Sequence, residues 1–279
     1  MKASSRRDPV GGAQRGGEAI GRQPAFVWLA RAGLVARGVS YGIIGILALK
    51  LAARAGGKAT NQRGAFMTIA DQQFGKALLI AMAAGLAAYA IWRLVRAGIG
   101  HGTQEKDSGP ERVAGFVSGV AYAALCVTAV KILSGVNSSG GTNSPKKATG
   151  GVLGWTGGTT SIAVTGAILI GVALYQGYKG LSKKFLEDSK TAEMSYSGER
   201  AFTAIGVFGH LARMVVFGLV GYGLIKAAQD YDPQKAIGLD GALNQLAHES
   251  YGPVLLGVVA VGLIGFALYS IADARYRKI

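Results

Sequence analysis

Six stretches of about twenty predominantly apolar residues, at 35–53, 77–95, 113–133, 159–178, 201–228 and 254–272, constrain what this 279-residue chain can become. A helix rises about 1.5 Å per residue, so a run of this length matches the ~30 Å hydrocarbon core of a bilayer. None of the six alternates polar and apolar residues as a half-buried strand would. In hydrocarbon every backbone N–H and C=O must be satisfied within its own segment, so Ala-, Leu-, Gly- and Val-rich runs become helices. In a water-soluble domain, six such runs would leave almost nothing amphipathic to cover a core. The composition agrees, being 50% hydrophobic and only 16% charged. The single Cys126 excludes a disulfide scaffold, and the 44 glycines follow no Gly-x-y period. The expected fold class is all-α integral membrane, with six transmembrane helices.

Residues 1–25 are basic and Gly-rich and lack an apolar core, so they are not a signal peptide. They read as a disordered cytoplasmic tail, solubilising the chain and drawn to anionic lipids. The chain carries 30 Lys and Arg against 15 Asp and Glu, a formal charge of +15. Eighteen of those cations lie in the N-terminal segment, the loops after spans two and four, and the C-terminus. Ten lie on the other side, and Arg37 and Arg213 lie within spans one and five. The positive-inside rule then puts both termini in the cytoplasm of a multi-pass protein of the bacterial cytoplasmic membrane. Because the charge follows this topology, it calls for no nucleic-acid partner.

The spans repeat in pairs. In the first helix of each pair, Tyr41, Tyr122 and Phe217 are followed nine residues later by Lys50, Lys131 and Lys226. Four residues before the aromatic stand Arg37, Ser118 and Arg213; four after it stand Gly45, Cys126 and Gly221. In the second helices, Gly75, Gly158 and Gly252 precede Trp92, Tyr175 and Tyr269 by seventeen residues. The preceding segment GAFMTIADQQFG (64–75) aligns without a gap to GALNQLAHESYG (241–252), whereas the middle copy lacks this pattern. The chain therefore divides into a tail (1–25), three two-span units (26–100, 111–181 and 199–276) and a cytoplasmic linker (182–198). Each unit crosses twice, so the three are parallel helical hairpins. They can pack around a pseudo-threefold axis or as a splayed array.

The helix endings LALK, TAVK and GLIK, the FG and YG openings of second helices, and the exits AIWRLVRA and ALYQGYKG resemble a family of bacterial six-span membrane proteins. That family, common in actinobacteria, is defined by domain of unknown function 1206, a paired-helix domain occurring three times per chain. The resemblance implies a fold and a membrane location, but no activity and no catalytic residue. The third copy departs from the exit pattern: Asp273 stands where Arg96 and Lys179 stand.

Individual residues suggest sites of differing sharpness. An arginine inside a span costs about 2.5–3.5 kcal/mol on insertion scales, so Arg37 and Arg213 need a partner, water or a snorkelling route. With His210 on the same face as Arg213, they form the candidate intramembrane polar or ligand site. Lys50, Lys131 and Lys226 suit the negative ends of their helices and anchor them at the outer interface; an outer basic ring attracting anions is the sharper reading. Asp71 and His248 occupy one position of a short amphipathic helix expected to lie on the outer leaflet. They are a surface polar face or a proton or ion site. The segment 140–151 reads as a flexible basic loop. Trp28, Trp92, Trp155, Tyr175, Tyr178 and Tyr269 read as an aromatic belt. Small residues at Gly38, Gly42 and Gly45, Gly206 and Gly209, Gly218 and Gly221, and Gly262 and Gly265 let helices approach closely in lipid.

No bis-His haem site, zinc-spaced Cys/His cluster, phosphate loop, intramembrane nucleophile–base pair or paired carboxylates are visible, so no cofactor and no enzyme activity are expected. The favoured reading is a structural or accessory interaction protein whose partners are the bilayer, anionic lipids and another membrane protein or further copies of itself. The alternative is a small-solute or ion channel or transporter, or a lipid binder, using Arg37, His210 and Arg213.

Overall fold

A computed structural model describes residues 24–54, 59–99, 109–135 and 144–278. Among them are nine α-helices: α1 (Pro24–Ala52), α2 (Gln62–Ala70), α3 (Gly75–Ile99), α4 (Gly109–Leu133), α5 (Ser144–Leu153), α6 (Gly158–Leu181), α7 (Tyr196–Gln229), α8 (Leu239–His248) and α9 (Gly252–Tyr276). The long helices α1, α3, α4, α6, α7 and α9 are the six membrane spans. The tail expected over residues 1–25 lies outside the described residues except for 24 and 25, which open α1, where Pro24 suits a first helical turn.

Each unit is a span, a short helix and a second span. Gly75, Gly158 and Gly252 open the three second spans for one steric reason. A Cβ on any of them would collide with a carbonyl at the end of the short helix before it, that of Ile69, Val152 or Ala247. The middle unit follows this plan too, which corrects the reading of 140–151 as a flexible loop: Ser144–Leu153 is helix α5. Pro145 lies in its first turn, Thr149 and Leu153 are buried, and the Tyr231 hydroxyl donates to the Leu153 carbonyl at 2.9 Å. Residues 140–143 lie outside the described residues. The short helices also do not rest their apolar faces on lipid. Phe66 and Ile69 of α2, and Leu243 and Leu246 of α8, are buried against the spans.

The most extensive helix contacts run between units rather than within them: α3 on α4, α6 on α7, and α9 on α1. The three interfaces are copies of one another. Gly45 packs on Ala260 and Ile264, Gly221 on Gly166 and Ile170, and the Cys126 thiol donates to the Ala83 carbonyl at 3.4 Å. Ala83, Gly166 and Ala260 share one repeat position. A second matched pair is Gly38 with Ile271, Gly119 with Leu94, and Met214 with Gly177. The last reverses which helix carries the glycine and so keeps the fit. A splayed array would contain two such interfaces; the third, α9 on α1, gives every unit an interface with both others, a pseudo-threefold ring that lacks only the contact inside unit two.

The ring is incomplete inside unit two. In units one and three the spans of the hairpin meet, α1 on α3 and α7 on α9. There Gly33 lies against Tyr89, Gly209 against Phe266, Gly85 against the Ala32 carbonyl and Gly262 against Ala212. At these positions unit two carries Ala114 in place of Gly33 and Gly209, Val172 in place of Tyr89 and Phe266, and Ile168 in place of Gly85 and Gly262. Close backbone approach needs the small residues. Without them α4 and α6 do not pack together, and a seam opens between them. They are also the least buried spans, with 11% and 22% of their apolar windows inside the protein against 33–56% for the other four.

Residues 182–195 fold back across the end of the bundle where α1 begins and α9 finishes, here called the terminal end. Phe185 is fully buried among Phe202, His210 and Tyr269, and Lys190 N–H donates to the Tyr276 carbonyl at 2.7 Å. Trp28, Trp155, Tyr175 and Tyr178 are exposed, as an aromatic belt requires, but Trp92 and Tyr269 are not. Trp92 is buried with Ala30 and Leu34 of α1 and Ala274 of α9, and Tyr269 completes the Phe185 cluster, so inter-helix packing claims both rings.

Candidate functional site

The polar groups of the bundle gather one to two turns inside its terminal end. Arg37 on α1 is 8% exposed and lies against α9, because the small face around Gly38 draws the two helices together. Its Nε donates to Ser270 Oγ at 3.2 Å, and its Nη2 lies 3.8 Å from Asp273 Oδ2. Asp273, with no exposed surface, also accepts from Arg277 Nη1 at 2.8 Å and from Ser189 Oγ at 3.3 Å. Arg277 reaches Asp188 at 3.4 Å, and Lys179 donates to the same Asp188 oxygen at 2.8 Å. The network thus ties α1, α6, α9 and the 182–195 segment together with two cations, Lys179 and Arg277, around two carboxylates and a third, Arg37, at its inner edge. Burial pushes the Asp188 carboxyl up, but Lys179 and Arg277 outweigh that and hold it down at about 2. Burial likewise opposes the charge on Arg277, while Asp273 and Asp188 keep it firmly protonated.

Arg213, the repeat counterpart of Arg37, has a different shell. Its guanidinium lies over the rings of Phe266 (4.4 Å), Phe217 (4.9 Å) and Tyr41 (5.4 Å). With its amide oxygen turned toward it, Gln176 accepts from both Nη atoms at 2.8 and 3.0 Å. Nε is buried and has no hydrogen-bond partner. His210 is buried one turn away; its Nδ1 lies 2.7 Å from the Gly206 carbonyl, so that nitrogen carries the proton. The imidazole stacks on Phe185 at 5.1 Å and meets Phe266 and Tyr269 edge-on. The structure therefore does bring Arg37, His210 and Arg213 together, around one shared ring, Phe266. His210 serves there as an aromatic-packed core side chain.

The other candidates lie apart. Lys50, Lys131 and Lys226 end α1, α4 and α7 at the opposite end of the bundle, the first two exposed. Asp71 caps α2 and is exposed. His248 ends α8, its Nδ1 2.7 Å from the Asn244 carbonyl, at the rim of an open groove of about 440 Å³ shared with Lys146 and Glu249. Asp273, Ser270, Gln176, Asp188 and Arg277 escaped the sequence reading as partners. The signal was the exit of the third unit, where an acid replaces a base. Among the described residues no three His, Cys, Asp or Glu side chains stand together as a metal would require.

A sequence profile of the family described as Domain of Unknown Function (DUF1206) matches the chain three times, at residues 32–100, 113–183 and 208–277. The chain belongs to this family. The three DUF1206 matches coincide with the three span pairs of the bundle. The chain is also similar to the uncharacterized protein YxxB of Bacillus subtilis (strain 168), with 32% identity over 250 residues, 88% of this chain and 90% of the relative. No solved structure matches.

Proposed function

We propose that this DUF1206 protein is a non-enzymatic accessory protein of the bacterial cytoplasmic membrane, working by holding a partner rather than by turning over a substrate. The observation that carries this reading is the open second unit. Two hairpins are closed by glycines, while the third displays α4 and α6 as poorly buried, mutually unpacked spans. An apolar helix of a partner gains packing there that lipid does not supply as well. The polar network argues in the same direction, since Asp273 and Asp188 are each held by cations and the network contains no nucleophile–base pair poised for chemistry. A conduit is less favoured: Arg37 and Arg213 both bear on the buried ring of Phe266, so the intramembrane charges face aromatic packing.

The test is purification of the tagged protein from native membranes in a mild detergent. A discrete complex is expected, and it should dissociate when unit two is closed by Ala114→Gly with Ile168→Gly. A strictly monomeric, partnerless protein would overturn the reading. Cytoplasmic termini rest on the basic side of the charge count, and reporter fusions at both ends test them.

A further inference from the structure

The two intramembrane arginines stand at matched positions, yet only one is neutralised. Position by position, Ser270 on α9 corresponds to Gln176 on α6, and Asp273 corresponds to Lys179. Arg37 therefore finds a hydroxyl and a carboxylate where Arg213 finds an amide and another cation. That cation, Lys179, is itself committed to Asp188. Among the described residues no carboxylate pairs with Arg213. Three aromatic faces and one amide oxygen attend it, and Nε–H points at none of them as a donor. Aromatic faces stabilise a cation by about 0.5–2 kcal/mol each but leave a buried N–H unsatisfied, which costs about 1–3 kcal/mol. An uncompensated charge in a span implies a partner from outside the chain.

The contacts to Arg213 come from α1, α6, α7 and α9. Among the described residues none comes from α4, the span that does not pack on α6. Gln176 lies five residues from the end of α6, so the guanidinium beside it sits about 7–8 Å from that helix end, nearer the terminal end of the bundle than its middle. A guanidinium with free N–H edges is suited to a phosphate oxygen.

We propose that Arg213 recognises an anionic phosphate group that enters through the α4–α6 seam, supplied by an acidic phospholipid of the leaflet at the terminal end. The site lies behind the face on which a partner helix is proposed to dock, so it is tested on protein free of any partner. The test uses full-length protein stripped of lipid in detergent. Short-chain phosphatidylglycerol, short-chain phosphatidylcholine and inorganic phosphate are titrated separately and followed by native mass spectrometry and thermal shift. Phosphatidylglycerol should bind the wild type at least tenfold more tightly than Arg213→Gln, while Lys50→Gln, which removes a cation elsewhere, should bind as the wild type does. Gln176→Glu guards against misfolding of the first variant. It is isosteric, gives Arg213 an internal carboxylate, and should fold while losing phosphatidylglycerol to the same degree. Tight inorganic phosphate without phosphatidylglycerol would assign the site to a free anion and overturn the lipid source. Equal phosphatidylglycerol binding by wild type, Arg213→Gln and Gln176→Glu would overturn the site itself. Neither result requires loss of a protein complex, so the accessory reading stands or falls separately.

Discussion

Replacing Asp273 by Asn keeps the shape of the side chain and removes the one carboxylate shared by α1, α9 and the 182–195 segment. Asp273 is fully buried, accepts from Arg277 at 2.8 Å and Ser189 at 3.3 Å, and lies 3.8 Å from Arg37. Removing one partner of a buried ion pair costs about 3–5 kcal/mol, because the remaining charge stays desolvated. Asn still accepts one hydrogen bond from a guanidinium, and the difference between a charged and a neutral bond of that kind is about 1 kcal/mol. Arg277 retains Asp188 as a second acid, which moderates its loss; Arg37 retains the Ser270 hydroxyl and the face of Phe266 but no acid. We therefore expect Asp273→Asn to destabilise the protein by about 3 kcal/mol, at the lower end of the range for broken buried pairs. The assay is unfolding in mixed micelles with increasing SDS, followed by circular dichroism. Adding Arg37→Gln should recover about 1 kcal/mol or more, the coupling expected of groups in one network. A variant within about 1 kcal/mol of wild type, or a double variant that is simply additive, would refute the claim that Asp273 neutralises Arg37.

Four further outcomes follow from the packing and the charges. Gly209→Ala should cost about 1–3 kcal/mol, since the new Cβ would sit 2.6 Å from the Phe266 backbone. Gly171→Ala, with nothing within 4 Å, should gain up to about 1 kcal/mol from helix propensity; the same unfolding assay reads both. Gly177→Leu should clash with Met214, and adding Met214→Gly should restore stability by recreating the Gly119–Leu94 arrangement; a double variant no better than the single would count against equivalent interfaces. For pH, the fold lowers the Asp188 carboxyl from 3.8 to about 2, so ionised Asp188 stabilises the native state fully above about pH 4, and that contribution is lost as pH falls to 2. Melting temperatures over that interval should fall less steeply for Asp188→Asn.

The spans and their threefold repetition were legible because hydrocarbon thickness and helical rise set a length, and the aromatic-to-Lys and Gly-to-aromatic offsets recur at fixed spacing. Helix α5 was not legible. SPKKATGGVL has two adjacent glycines and no apolar stripe, and its helicity follows from docking on α6 and on the turn that carries Pro233. Trp92 and Tyr269 stood at span ends where lipid-facing aromatics are common, but only the packing of the helices decides which face a ring takes. Arg37 and Arg213 were conspicuous as charges in apolar runs. Their partners were not, since Ser270 lies 233 residues from Arg37 and no local periodicity links them. The opening of unit two was written in Ala114 and Ile168, two departures from glycine that acquire meaning only once the repeats are superposed.

The contact between Arg37 and Ser270 also sets a timetable for biogenesis. Its two ends are 233 residues apart, and a ribosome adding about 5–20 residues per second delivers the second roughly 12–47 s after the first. Throughout that interval α1 lacks the acid that neutralises its guanidinium, which arrives with α9. Insertion of this protein is thus a task with a built-in delay. A chain that stops before α9 leaves Arg37 without either Ser270 or Asp273.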